Sequence, residues 1–167
     1  SLCQRYDLIR DDEDPKQQIR KDLHRTFPEE KTEINSERGI AALERLVGAY
    51  AVYNPRVGYC QSMNLIGGHL LLALGRPGGG SQWADCLSSE VEETAFWLLR
   101  QLAEEIVPHY WAEPSMPGMM HHTDVLDELC RVLIPQTMAH FTDIPMALVG
   151  MKWMAPLFGH TLPSTTL

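Results

Sequence analysis

The sequence predicts an all-α fold, an irregular multi-helix domain, and three observations carry that expectation. Apolar residues recur at three- and four-residue intervals through Ile40, Leu43, Leu46, Val47, Tyr50 and Ala51, the period of one face of an α-helix. Ser89-Glu90-Val91-Glu92 reads as a capping box that opens a second such segment. No stretch alternates apolar and polar residues in the way a half-buried strand does.

The elements follow in order. Asp14-Pro15 puts an acid at an N-cap and a proline in the first turn, predicting a short amphipathic helix to about Arg25. Pro28 pushes Phe27 out of helical geometry and closes the segment. Glu29 to Asn35 is a polar connector, and the periodic helix then runs through Tyr53 until Asn54-Pro55 ends it, with Gly58 allowing a tight turn. Gln61 to Leu74 is almost wholly apolar and predicts a buried helix with Gln61 near its N-terminus. Its apolar run, Leu65 to Leu74, falls well below the roughly 20 residues that a membrane-spanning helix needs. Gly75 to Ser81 is a loop, and it lacks the Lys-Ser/Thr ending and flanking strand of a phosphate-binding loop.

From the capping box, Val91, Ala95, Leu98, Leu99 and Leu102 form an apolar face to about Val107, widened by Phe96 and Trp97. Pro108 breaks that helix, and Tyr110 and Trp111 are expected to pack across the break. Pro114 to Gly118 predicts a turn before a helix from about Met119 to Leu133, and Pro135, Pro145 and Pro156 punctuate shorter pieces. Met116, Met119, Met120, Met138, Met146, Met151 and Met154 read as gap-filling core residues.

Composition limits the function. The chain of 167 residues, 44% hydrophobic and 22% charged, is of ordinary globular make-up and long enough for one domain with its own core. A net charge of −8 argues against general nucleic-acid binding, which depends on clustered Lys and Arg. Part of that acidity is the run Asp11-Asp12-Glu13-Asp14, read as a solvated leader. Cys3, Cys60, Cys86 and Cys130 are scattered with no Cys-x-x-Cys pair and no histidine at ligand spacing, which predicts reduced thiols and no metal site. No secretory signal is visible in the polar N-terminal stretch, and an intracellular chain is the expectation.

Two short strings carry the chemistry. Ile19 to Arg25 reads Ile-Arg-Lys-Asp-Leu-His-Arg and continues as Thr26-Phe27-Pro28, and Gly58 to Asn64 reads Gly-Tyr-Cys-Gln-Ser-Met-Asn. At 100° per residue, Ile19 and Leu23 share a helix face, Asp22 lies on its flank within pairing distance of Arg25, and Arg25 points roughly 140° away from the apolar stripe. Arg25 therefore faces out at a helix end. By spacing alone, it reads as a solvated surface arginine.

The two strings together resemble the TBC domain of Rab GTPase activators. The similarity extends to the helix entering Tyr53-Asn54-Pro55, to Glu93-Thr94-Ala95-Phe96-Trp97 and to Trp153 through Pro163, in family-like order along nearly the whole chain. The resemblance implies an all-α domain of TBC/Rab-GAP type over residues 15–167, behind an acidic leader at 1–14. The family's leading Arg-x-x-x-Trp motif does not occur before Ile19, and the chain stops after Leu162-Pro163. The expectation is accordingly the N-terminal and central part of the domain, with the C-terminal helices missing.

The resemblance further implies a GTPase-activating protein for Rab-family small GTPases in vesicle trafficking. It would be an activator that supplies catalytic residues in trans rather than an enzyme on its own account. Arg25 would be an arginine finger and Gln61 a glutamine finger, with Asp22, Tyr59 and Asn64 supporting them. No cofactor of its own is expected; GTP and Mg2+ belong to the partner GTPase. The protein would be cytoplasmic, recruited peripherally to endomembranes, and would meet membrane only through its Rab. Ser62 stands where the family usually has glycine, which restricts the backbone beside Gln61. That departure, with the shortened domain, leaves a second reading: a catalytically inactive Rab-binding or scaffold module. A conventional hydrolase has little support, because no nucleophile elbow or local base accompanies Ser115, Ser164 or Cys60.

Overall fold

The computed structural model describes residues 14–27, 33–75, 83–111, 115–141 and 145–162. The leader up to residue 13, Cys3, connector residues 29–32, loop residues 76–81, Pro114 and Ser164 lie outside the described residues. Among the described residues there are helices and no strand: α1 Asp14–Leu23, a 3-10 turn Glu33–Asn35, α2 Glu37–Tyr53, α3 Met63–Leu74, α4 Trp83–Cys86, α5 Ser89–Gln101, a π-helical turn Leu102–Ile106, α6 Pro117–Leu133, α7 Pro135–Met138 and α8 Met146–Met154. No helix among them is long and apolar enough to cross a membrane.

The core follows the helical faces. α2 buries Ala42, Leu43, Leu46, Val47 and Tyr50, and the periodic stripe thereby meets α1 on one side and α3 and α5 on the other. α3 is buried along most of its first two turns, Met63 to Gly68, as its apolar sequence requires. Charges tie the layers at the rim: Arg20 reaches Glu44 at 3.2 Å between α1 and α2, and Arg45 grips both carboxylate oxygens of Glu92 between α2 and α5. Tyr110 and Trp111 are both buried with ring centroids 5.2 Å apart, and Trp111 Nε1 donates to the Ala155 carbonyl at 3.0 Å. The break at Pro108 thus joins the α8 end.

Several sequence expectations are corrected. α2 begins at Glu37 because Ser36 caps it, its hydroxyl accepting from the Gly39 N–H at 3.1 Å. The cap of α5 is Ser88, whose extended backbone and hydroxyl serve the Val91 N–H, and Ser89 is already helical. With Ser88 as the cap, the third helical position is the apolar Val91, and Glu92 pairs with Arg45, so no reciprocal box forms. Trp97 and Leu98 are exposed on α5, Trp97 lying edge-on to Tyr53 of α2 and to Phe96, while Ala95, Phe96 and Leu99 take the buried positions of that helix. α6 starts at Pro117, where proline's missing N–H costs no hydrogen bond. Of the seven methionines read as core, Met119 is fully buried, Met116 and Met154 pack against the core, and Met151 is exposed. The reason is geometric: α6 packs with α7 and α8 at the edge of the domain, leaving Leu129, Val132, Leu133 and Leu148 exposed as well.

Candidate functional site

α1 ends at Leu23, and His24 to Phe27 form a turn in which the N–H groups of Arg25 and Thr26 donate to the carbonyls of Asp22 and Leu23. Ile19 and Leu23 are buried on the inner face, and Arg25 is exposed on the outer one. Phe27 completes the turn with φ of 50°, its ring buried and its carbonyl held by Asn35 Nδ2 at 3.3 Å.

Asp22 does not sit on an exposed flank beside Arg25. It is 2% exposed, and its carboxylate accepts from Gln18 Nε2 and from the Tyr59 hydroxyl, both at 3.0 Å. The alternative surface pair with Arg25 gains only a few tenths of a kcal/mol, whereas a buried carboxylate left without donors is far more costly. Asp22 bears on the turn through its main chain: its carbonyl accepts from Arg25 N at 3.0 Å, from Thr26 Oγ1 at 3.2 Å and from Asn64 Nδ2 at 3.2 Å. Asn64 Nδ2 also donates to Thr26 Oγ1 at 3.0 Å, and the Tyr59 hydroxyl lies 3.4 Å from Asn64 Oδ1. Burial, and then the neighbouring Asp22 carboxylate, push the Tyr59 hydroxyl far above the ordinary tyrosine range, which keeps it a proton donor.

The second loop descends from α2. The Asn54 carbonyl accepts from the N–H groups of Val57 and Gly58, Gly58 takes φ of 63°, and the chain turns toward Tyr59. Cys60 is buried, Gln61 is exposed, and Ser62 precedes α3 with φ of 89° and ψ of −18°. Ser62 therefore occupies the left-handed region that glycine enters without steric cost, and its side chain does not cap the helix.

α3 is the bench on which both turns are set. Its first residues follow Gln61, its Asn64 binds the arginine turn, and Gly68, one helical turn on, leaves a notch for that turn. A Cβ at Gly68 would lie 2.8 Å from Phe27 Cε2 and 3.3 Å from Thr26 Cγ2.

Asp22, Arg25, Tyr59, Gln61 and Asn64, the residues singled out from sequence, thus fall into one region, with Asp22, Tyr59 and Asn64 directly linked. Gln18 and Thr26 also belong to the network and were not singled out. Gln18 lies four residues before Asp22 on α1, the spacing that stacks side chains on one helix face, and that was the available signal for it; Thr26, beyond the helix end, is recruited by Asn64 from α3. The arrangement offers an exposed cation and an exposed amide on two turns locked together from beneath. Among the described residues no three His, Cys, Asp or Glu side chains gather to hold a metal ion, and Cys60 is enclosed rather than presented to a substrate.

Comparison with known proteins agrees with the motifs. The chain is 36% identical over 153 residues to growth hormone-regulated TBC protein 1-A of Danio rerio, covering 89% of this chain and 38% of that protein. It is 32% identical over 171 residues to growth hormone-regulated TBC protein 1 of Homo sapiens, covering 97% of this chain and 45% of that one. The chain therefore spans less than half the length of these curated relatives. Among solved structures, the Chlamydomonas flagellar RabGAP TBC domain superposes with a TM-score of 0.74 at 32% identity, over 99% of this chain and 48% of that chain. The Ypt/Rab-GAP domain of Gyp1p gives a TM-score of 0.82 at 19% identity, over 99% and 56%, a likeness of fold. The family model for the Rab-GTPase-TBC domain matches residues 2–167, and the chain belongs to that family.

Proposed function

We propose that the chain accelerates GTP hydrolysis by a Rab-family GTPase, with Arg25 and Gln61 supplied in trans. The observation that carries this reading is the buried network of Asp22, Tyr59, Asn64 and Thr26, which ties the turn bearing Arg25 to the loop bearing Gln61 while leaving both tips exposed. Family membership supports the kind of partner; the roles of the residues are argued from their chemistry.

Hydrolysis places growing negative charge on phosphoryl oxygens. A guanidinium held at that point is worth more in the transition state than in the ground state. Arg25 is fit for this, because a guanidinium carries several N–H donors in a fixed fork. An arginine supplied in trans contributes about 10³ to 10⁵ in rate, or roughly 4 to 7 kcal/mol. Gln61 can donate one hydrogen bond and accept another through the same amide, which suits it to align the attacking water in place of the GTPase's own glutamine. Neither role requires a general base or a metal from this chain, and GTP and Mg2+ come with the partner. In this reading the protein works in the cytoplasm and reaches endomembranes through its lipid-anchored Rab.

A binding-only module is the second reading, and the observation favouring it is the left-handed Ser62 beside Gln61. Phosphate release from a panel of GTP-loaded Rab GTPases, with binding measured in parallel, separates the two. Acceleration of at least one Rab supports the activator; binding with no acceleration of any supports the module.

A further inference from the structure

Phe27 adjoins the turn that presents Arg25, and its ring has a second neighbour on α3. The His69 ring packs on it with centroids 4.5 Å apart, tilted by 59°. His69 is itself held from a distant part of the chain, its Nε2 lying 2.7 Å from the Gly159 carbonyl, 90 residues on. Gly159 is buried at close approach, since a Cβ there would stand 2.9 Å from His69 Cδ2.

The segment that presents this carbonyl is compact. Leu157 and Phe158 take φ of 49° and 65°, and the N–H groups of Phe158, Gly159 and Thr161 close successive turns onto Trp153, Pro156 and Phe158. Ala155, just before it, is pinned by Trp111. His69 is therefore held between a hydrogen-bonded turn after α8 and the Phe27 ring of the arginine turn.

From this geometry we infer that His69 is a positioning residue for Arg25. Its Nε2–H donates to Gly159, which fixes the ring; the ring fixes Phe27; and Phe27, with Thr26 in its hydroxyl network, sets the direction in which Arg25 leaves α1. The inference rests on the activator reading and adds a residue to it. It also makes the turn at 156–159 a determinant of catalysis, though it bears neither finger. Misplacement of a reacting group by about 1 Å costs on the order of 10²-fold in rate, so a loosened ring contact is felt at the guanidinium.

The test is a double-mutant cycle in single-turnover GTP hydrolysis, using the chain and a GTP-loaded Rab that it accelerates. His69→Ala is expected to lower the maximal accelerated rate about tenfold while leaving the concentration for half-maximal effect within about twofold. In the Arg25→Ala background, His69→Ala should change nothing further, because its effect passes through Arg25; in the Gln61→Ala background it should retain its cost. A merely structural histidine gives the same loss in both backgrounds, and that result overturns the inference, as does an undiminished rate in folded His69→Ala. If His69→Ala does not fold, His69→Phe takes its place, keeping a ring on Phe27 and deleting the bond to Gly159; a rate equal to the parent's overturns the inference. Full activity of Arg25→Ala, or no Rab accelerated at all, instead refutes the activator reading and this inference with it.

Discussion

The hydroxyl of Tyr59, two residues before Gln61, donates at 3.0 Å to the carboxylate of Asp22, three residues before Arg25. Tyr59 and Asp22 are far apart in sequence and belong to the two separate motifs. Their bond, doubled by Asn64 on Thr26 and on the Asp22 carbonyl, makes the relative placement of the two exposed tips a property of the core rather than of flexible loops. Sites held this way keep their geometry through packing and hydrogen bonding beneath the reacting groups.

Replacing Asp22 by Ala removes the carboxylate that the Tyr59 hydroxyl and the Gln18 amide share, leaving Tyr59 only the longer 3.4 Å contact to Asn64 Oδ1. Leaving a buried donor unpaired costs about 1 to 3 kcal/mol, so the melting temperature should fall while the helical fold persists. Activation should drop by about tenfold, equivalent to about 1.4 kcal/mol in the barrier. Circular dichroism and hydrolysis assays on the same sample check both, and parental activation in folded Asp22→Ala would remove Asp22 from the site.

Ser62→Gly should stabilise the protein. A non-glycine residue at φ of 89° carries a left-handed cost of roughly 1 kcal/mol, and the Ser62 hydroxyl makes no cap bond that would be lost. Activation should stay at the parental level or rise as the loop bearing Gln61 relaxes. Denaturant melts read the stability, and a destabilised Ser62→Gly would show that the hydroxyl contributes more than the strain costs.

Gly68→Ala should behave against ordinary helix preference. Glycine to alanine inside a helix commonly gains about 0.5 to 1 kcal/mol, but here the new methyl meets the Phe27 ring at 2.8 Å. The ring must shift, and the arginine turn with it. Little or no gain in melting temperature and a lowered maximal rate are expected; a clear gain with unchanged rate would mean that the notch does not govern the turn.

Alkaline pH should loosen the network. Tyr59 has a folded-state value raised by burial and by Asp22, so its contribution is complete below the ordinary tyrosine value of about 10 and is lost as pH rises from there through the folded value. Between pH 6 and 9 this group adds no slope. Melting temperature should therefore decline above about pH 10, less steeply in Tyr59→Phe. Part of the decline remains in that variant, because burial also raises Tyr110, and burial with Glu104 pushes Tyr50 up to about 12.

The helices that bury one clear face were legible in the sequence: α2 from its period, α3 from its apolar run, and the break at Pro108 with Tyr110 and Trp111 beneath it. Their starts were less so, since Ser88 and Ser89 are equally good caps by composition and only the path of the chain chooses between them. Helix angle pointed Arg25 outward, and it is exposed although the helix stops at Leu23 and a turn carries it. The burial of Asp22 did not, because its partner Tyr59 arrives from another loop, and a flank position becomes interior only when α3 and the Tyr59 loop cover it. Thr26 and His69 escaped notice for the same reason: their roles depend on contacts across the fold, with Asn64 and with Gly159. Met151 shows the converse error, apolar composition being a poor guide where helices sit at the domain's edge, whereas Met119 is buried as expected.

The central claim is that one arginine and one glutamine act together on a partner's nucleotide. The direct measurement is single-turnover GTP hydrolysis by a Rab that the chain accelerates, with the parent, Arg25→Ala and Gln61→Ala chains, alongside their affinities for the same Rab. The account predicts a loss of about 10³-fold or more for Arg25→Ala and a large loss for Gln61→Ala, with Rab binding retained in both. Undiminished acceleration by either folded variant would contradict it.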